Sequence, residues 1–130
     1  MLNIETLLKN KGVIEEKTGE KTMTIEVKSF KEQFGDGEIT IKSIDMNKMH
    51  DLGSMAGDNE YKMTTIVVYN AVVEPNLKDK ELQKAYDCKS NPFKIVEKLF
   101  QPKEIKAISD KVAELSGIGN EKDIVKEIKK

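Results

Sequence analysis

The spacing of apolar residues along the chain changes period near residue 22 and again near residue 45. Between these points apolar and polar residues alternate, first at Met23, Ile25 and Val27 and then at Ile39 and Ile41. Such alternation is typical of half-buried strands. Because the turn residues Gly-Asp-Gly at 35–37 separate the two runs, the pattern predicts an antiparallel hairpin over residues 22–44 with a long loop.

The amino-terminal segment predicts a short amphipathic helix. Ile4, Leu7 and Leu8 have the i, i+3, i+4 spacing of one helical face, and Asn3 precedes them as an N-cap. Residues 11–21 are charged and contain glycine, which predicts a flexible linker between this helix and the hairpin.

Helical spacing dominates the region from residue 45 to residue 130. Asp45 can cap a helix over residues 46–56, which the turn residues 57–59 would end. The inward faces predicted for this helix and the later ones are, in chain order, Met49, Leu52 and Ala56; Leu82, Ala85 and Tyr86; Phe93, Val96, Leu99 and Phe100; Ile105, Ile108, Val112 and Leu115; and Ile124, Val125 and Ile128. The last of these helices is predicted over Glu121–Lys130.

Residues 60–75 fit two interpretations. Their β-branched residues favour a strand, whereas an apolar character on all sides suits a buried helix. The run before Pro75 is long for a strand in a small domain, so we predict a buried central helix. The fold class expected is therefore α+β and mainly α: a small N-terminal antiparallel β-hairpin followed by a compact helical bundle, within a single domain of 130 residues.

Composition restricts the possible partners. The chain carries 22 basic residues, all of them lysine, against 23 acidic ones, and its net charge is -1. This balance argues against binding to nucleic acid or to an anionic membrane, and the missing arginine removes the planar fork favoured for phosphates and guanine edges. We see no signal peptide and no apolar run long enough to span a membrane, and Cys88 is the single cysteine. These features lead us to expect a cytoplasmic protein.

Reactive groups are scarce. His50 is the single histidine and lies on a predicted helix with no cysteine or carboxylate at metal-ligand spacing. A catalytic thiol would need a histidine partner, and His50 is the single histidine of the chain, so we expect Cys88 to be buried or unreactive. We expect no catalytic residue, cofactor or metal, and no enzymatic activity.

The stretch Gly117-Ile118-Gly119 has two interpretations. It fits the loop of a helix-hairpin-helix DNA-binding unit, in which backbone amides hold a phosphate. It also fits a helix end, with Gly117 in the left-handed conformation and Asn120 capping the next helix. We favour the helix end, because Asp123 occupies a position where a small residue is expected and residues 103–130 carry seven lysines against six acids.

The helical half resembles the XkdN-like phage tail assembly chaperones of tailed phages, PBSX-type prophages and phage-tail-like particles. The resemblance is carried by "V-x-x-P-x-L" at Val72, Pro75 and Leu77, a Tyr-Gly-like turn at Tyr86-Asp87, "Pro-x-Glu-Ile" at Pro102, Glu104 and Ile105, and "Leu-Ser-Gly" at Leu115, Ser116 and Gly117. It implies a non-catalytic protein of the bacterial host cytoplasm that binds the tape-measure protein, tail-tube subunits, or both while tails assemble.

Two apolar stripes are the candidate partner-binding residues: Ile4, Leu7 and Leu8 at the amino terminus, and Ile124, Val125 and Ile128 at the carboxyl terminus. Either stripe could cover an apolar face of a helical partner, or could fold back onto the core. A structural component of the virion is the second interpretation of the protein, and a helix-hairpin-helix nucleic-acid-binding module is the third.

Overall fold

The computed structural model describes residues 1–119, 121 and 124–129. Within them the chain forms three strands and eight helices. The elements are α1 (Ile4–Lys9), α2 (Lys11–Thr18), β1 (Thr22–Glu26), α3 (Lys28–Phe34), β2 (Glu38–Lys42), α4 (Met46–Ala56), α5 (Glu60–Ala71), β3 (Val72–Glu74), α6 (Lys80–Ala85), α7 (Lys94–Leu99) and α8 (Pro102–Leu115).

The predicted antiparallel hairpin is confirmed, and a third strand extends it. Strand β1 pairs with β2, and Met23 lies opposite Ile41 while Ile25 lies opposite Ile39. The side chains of Ile39 and Ile41 are buried, as their alternation predicted. On its other side β2 pairs antiparallel with β3, which the sequence analysis did not predict, so the strand order is β1-β2-β3.

A helix connects the two hairpin strands where the sequence analysis predicted a loop. Strand β1 ends at Glu26, and the next residues form α3, which ends at Gly35 in the left-handed conformation (φ 81°). Phe30 and Phe34, four residues apart, place their ring centroids 5.8 Å apart, and Phe30 lies 5.6 Å from Phe100 in the core. The aromatic contact with the core therefore favours helix where alternation alone suggested more strand.

Helix α5 confirms the prediction of a buried central helix. Asn59 caps it by accepting a hydrogen bond from the backbone amide of Lys62 at 3.0 Å. Its neighbours are α4, α7 and α8, and five of its residues are buried. At Ala71 the helix passes directly into β3, so the β-branched end of this run is a strand after all.

Helices α4, α7 and α8 bury most of the residues predicted. Leu52 and Ala56 of α4, Val96 of α7, Phe100 just after it, and Ile105, Ile108 and Val112 of α8 are all buried. The Asp45 carboxylate accepts from the amide of Lys48 at 2.8 Å, as expected for its N-cap role. Helix α7 begins at Lys94 and ends at Leu99.

The inward face predicted for α6 is confirmed for Leu82, which is half-buried against the core, and is wrong for Ala85 and Tyr86. Ala85 and Tyr86 are exposed, whereas Gln83 is 6% exposed. The Gln83 Nε2 donates to the backbone oxygens of Leu77 at 2.7 Å and Pro92 at 3.2 Å. This amide therefore joins the chain entering α6 to the chain leaving it, which no apolar spacing could reveal.

Both ends of the chain differ from the prediction. Residues 11–18, expected as a linker, form helix α2, in which no residue is buried. The helix predicted over Glu121–Lys130 is not found in residues 124–129, and positions 120, 122, 123 and 130 lie outside the described residues. A short isolated helix without a packing partner is marginal in water, so apolar spacing alone does not stabilise one here.

The core lies between α5, the helices around it and one face of the sheet. It comprises Val27, Ile39, Ile41, Ile44, Leu52, Ala56, Ile66, Val67, Val68, Ala71, Val72, Leu77, Cys88, Ile95, Val96, Phe100, Ile105, Ile108 and Val112. None of the helices in the described part of the chain is both long and apolar enough to cross a membrane. The observed fold is mainly α with a small amino-terminal antiparallel sheet, as predicted.

Candidate partner-binding surfaces

The reactive side chains do not form a cluster. His50 is exposed on α4, and Cys88 is buried, with its thiol donating to the backbone oxygen of Tyr86 at 3.3 Å. Among the described residues, no group of three or more histidine, cysteine, aspartate or glutamate side chains is placed to hold a metal ion. The surfaces that stand out are apolar.

The first apolar surface is the amino-terminal arm, formed by α1 and α2. Asn3 begins α1, and its Oδ1 accepts from the Thr6 amide at 2.9 Å. Neither helix contains a buried residue. Ile4 is 70% exposed and Leu8 is 71% exposed, whereas Leu7 is 40% exposed. The stripe therefore does not fold back onto the core.

The second apolar surface lies near the carboxyl terminus. Ile124, Val125 and Ile128 are 74%, 87% and 73% exposed. Because residues 124–129 are not helical, these side chains do not form the single helical face that was predicted. They remain available to a partner, on a segment of different conformation from the one expected.

The turn after α8 resolves the two interpretations of the Gly-Ile-Gly stretch. Gly117 has a φ of 74°, the left-handed region that favours glycine. Its amide donates to the Glu114 oxygen at 3.1 Å, and the Ile118 amide donates to the Ala113 oxygen at 2.9 Å. This pair of bonds is a Schellman motif, which satisfies the last carbonyls of a helix.

The same turn is attached to the sheet. The Ser116 hydroxyl donates to the Val112 oxygen at 2.6 Å and accepts from the Ile44 amide, which follows β2. Ile118 is half-buried beside this contact. The second helix of a helix-hairpin-helix unit is not found in residues 124–129. The stretch therefore ends a helix, as favoured from the sequence.

Several exposed apolar side chains were missed by the sequence analysis. Leu2 and Val13 add to the apolar surface of the arm, at 69% and 67% exposure. Phe34 is 74% exposed at the end of α3, and Met46 is 71% exposed at the start of α4. The sequence offered a signal for Phe34, since this phenylalanine directly precedes the turn glycines, but the segment was interpreted as a loop.

Comparison with known proteins identifies the family. The model of the phage XkdN-like tail assembly chaperone proteins matches residues 4–129. The chain belongs to this family. The match covers the helical half, which carried the resemblance, and also includes the amino-terminal arm and the sheet.

A solved structure shares the fold of this family member. The crystal structure of the protein YqbN superimposes with a TM-score of 0.63 at 18% sequence identity, covering 77% of this chain and 87% of that one. At this identity the likeness concerns the fold alone. No curated protein matches the sequence.

The motifs that carried the resemblance have structural roles in this chaperone family member. Leu77 is 1% exposed, and Asp87 takes a left-handed φ of 58° at the Tyr-Gly-like turn. The Glu104 carboxylate accepts from the Gln101 amide at 2.8 Å and from the Ser29 hydroxyl at 2.5 Å, which joins the start of α8 to α3. These residues therefore stabilise the scaffold.

Proposed function

We propose that this chain binds the tape-measure protein, tail-tube subunits, or both during tail morphogenesis in the bacterial host cytoplasm, and that it catalyses no reaction. Its membership of the tail assembly chaperone family supports the proposal. The observation that carries it is the exposure of large apolar side chains at both ends of the chain, above all Ile4 and Leu8.

The energetic argument concerns these exposed side chains. An aliphatic side chain that becomes fully buried contributes about 1.5–3 kcal/mol. Micromolar binding needs about 8 kcal/mol beyond the costs of association, so anchors on both partners have to act together. Grouped apolar side chains on a soluble surface are uncommon unless a partner covers them. A tape-measure protein, as a long helical chain with apolar stripes, would gain by the same contact, because its own stripes would be shielded from aggregation.

Purified tape-measure and tail-tube proteins from the same phage provide the test. We expect the wild-type chain to bind at least one of them in isothermal titration calorimetry. The double variant Ile4→Ser/Leu8→Ser should weaken that affinity at least roughly tenfold, as loss of interface anchors does. Its melting temperature should not change, because both side chains are already about 70% exposed.

Two comparisons make the result specific. Glu5→Ser/Lys9→Ser changes polar residues of the same helix, whose ion pair of 2.9 Å is exposed, and should bind like the wild type. Ile124→Ser/Val125→Ser/Ile128→Ser tests the carboxyl-terminal surface in the same way. If the wild type binds neither tail protein, the proposed function is wrong. If it binds and both apolar variants bind equally well, these surfaces are not the contact.

Mass spectrometry of purified tails separates assembly from incorporation. We expect the chain to be present in lysates during assembly and absent from finished tails. Its recovery in stoichiometric amounts from finished tails would instead identify a structural component of the virion.

A further inference from the structure

A groove lined by lysines lies where the end of the amino-terminal arm meets the body of the protein. Its walls come from α2, the end of β2, the start of α4, and the turn after α8. Five lysines line it: Lys17, Lys21, Lys42, Lys48 and Lys78. Two acidic residues, Glu20 and Asp45, also contribute, and we call the whole the lysine groove.

The positive charges of the lysine groove are not neutralised within the protein. The ion pairs among the described residues involve Lys9, Lys11, Lys106 and Lys111, none of which lines the groove. The Asp45 carboxylate is engaged as the N-cap of α4. The five lysines therefore line one groove and take part in none of these ion pairs, an arrangement that favours an anionic ligand.

A second depression continues this basic surface beyond Lys78, which lines both. Lys80, Lys84 and Lys89 line it, with Glu81 as its acidic residue. Together the two depressions hold eight of the 22 lysines of the chain and only three of its 23 acids. The charged residues that line the two depressions are thus mainly basic, which the net charge of -1 conceals.

The apolar residues in the lysine groove indicate what kind of anion it fits. Met46 and Leu115 lie among the lysines; the Met46 side chain is 71% exposed and that of Leu115 is half-buried. Aliphatic side chains can cover such residues, whereas a sugar-phosphate backbone cannot. A ligand that carries carboxylates and aliphatic groups on one surface matches both features.

Nucleic acid matches less well. The groove offers no arginine to grip phosphates or stack on bases. The nearest aromatic ring on this face, Tyr69, is half-buried, packed edge-to-face on Phe93 at 4.9 Å and covered by the Lys78 ammonium at 5.5 Å. Its ring is therefore already occupied and is a poor platform for a base.

We propose that the lysine groove binds an acidic amphipathic segment of a protein partner, whose carboxylates face the lysines and whose aliphatic residues contact Met46 and the exposed part of Leu115. The inference deepens the proposed function and rests on it for the identity of the partner as a tail protein. The arm and the groove then form adjoining parts of one contact, since Lys17 belongs to α2.

The test uses a designed peptide, so that it does not depend on the identity of the tail partner. The probe is a helical peptide of about 20 residues with glutamates on one face and leucines on the other, long enough to be partly helical. Its counterpart has lysine at every glutamate position, and a mixed-sequence DNA duplex represents nucleic acid. Fluorescence anisotropy measures binding to the full chain at about 50 mM and about 300 mM salt, which changes the screening of exposed charges.

The variant is Lys17→Glu/Lys48→Glu/Lys78→Glu, and the matched control is Lys62→Glu/Lys94→Glu/Lys98→Glu. All six side chains are exposed, and the three control lysines lie outside both depressions. We expect the acidic peptide to bind the wild type and the control variant alike. Binding to the groove variant should be at least roughly tenfold weaker, and the higher salt should weaken wild-type binding similarly.

The outcomes separate this inference from the proposed function. If the acidic peptide does not bind, or binds the groove variant as well as the control, the inference is wrong, whatever the tail-protein titrations show. If the duplex binds more tightly than the peptide and the groove variant abolishes that binding, the groove is a nucleic-acid site instead. If the peptide result holds but no tail protein binds, the groove inference stands and the proposed partner is wrong.

Discussion

The backbone amide of Ile44 donates a hydrogen bond of 2.8 Å to the hydroxyl of Ser116, which lies 72 residues later in the chain. This bond fixes the segment after β2 against the end of α8. Ile44 is 4% exposed, so its amide has little access to solvent if the hydroxyl is removed. The serine of the "Leu-Ser-Gly" motif therefore joins the sheet to the longest helix.

Replacing Ser116 with alanine should lower the free energy of unfolding by about 1–3 kcal/mol, the usual cost of a buried donor without an acceptor. Urea unfolding monitored by circular dichroism measures the change. Ser54→Ala is the control, because Ser54 is exposed and its hydroxyl contacts only the His50 oxygen of its own helix, at 3.2 Å. Equal effects of the two substitutions would contradict the structural role of Ser116.

Two glycines should respond to alanine in opposite directions. A Cβ at Gly37 would collide with the Val27 oxygen and would lie 2.9 Å from the Lys31 nitrogen, both of which are backbone atoms. We expect Gly37→Ala to lower the free energy of unfolding by about 1–3 kcal/mol, the range of overpacked sites. In the interior of α4, a Cβ at Gly53 meets nothing within 4 Å. Gly53→Ala should therefore raise the free energy of unfolding by about 0.5–1 kcal/mol. Thermal melts of both variants are sufficient, and a stabilised Gly37→Ala variant would be inconsistent with this packing.

Substitutions at the ends of α6 and α8 should change stability in opposite directions. Asp87 and Gly117 both take left-handed φ angles, 58° and 74°, in Schellman motifs. Asp87→Gly should therefore stabilise the protein by about 0.5–1 kcal/mol, and Gly117→Ala should destabilise it by about 1–2 kcal/mol. A Cβ at Gly117 has open space around it, so its cost is conformational and not a clash. Chemical unfolding of both variants checks the signs, and a destabilised Asp87→Gly variant would refute this account of the turn.

We expect ionisation of Tyr69 to lower the free energy of unfolding at alkaline pH. Burial raises the pKa of Tyr69 above its ordinary value of 10.0, because the phenolate is disfavoured beside the core. Below the pKa of the unfolded state the phenol is neutral in both states, and its contribution to the stability of the fold is fully present. That contribution is lost as pH rises through the higher pKa of the folded state. Above about pH 10 the wild type should lose more stability than Tyr69→Phe, because phenylalanine has no phenol to ionise. Urea unfolding at several pH values measures the difference, and parallel curves would contradict it.

Local signals explain which elements could be predicted. Helices α4 and α8 were predicted because their apolar spacing and their end residues, Asp45 and Gly117, agree. Strand β3 depends on the open edge of β2, a tertiary feature that three residues cannot signal. Helix α3 depends on the contact of Phe30 with Phe100, a residue far from it in the sequence.

The candidate surfaces were predictable only in part. Spacing selected Ile4 and Leu8, but it could not decide between exposure and burial against the core, because that depends on whether the core has room for them. At the carboxyl terminus, spacing predicted a helical face where residues 124–129 are not helical. The lysine groove was invisible in the sequence, since its charges come from three separate segments and are balanced by acidic residues elsewhere in the net total.

The direct passage from α5 into β3 has a mechanical consequence. The amide of Val72, the first residue of the strand, donates to the Val68 oxygen and so completes the last turn of the helix. An outer strand is ordinarily free to peel away and recruit a foreign chain. Here detachment of β3 would also unwind the end of the central helix, so this edge of the sheet is coupled to the most protected part of the molecule. Aggregation that starts by strand addition at this edge would therefore require partial unfolding of the protein.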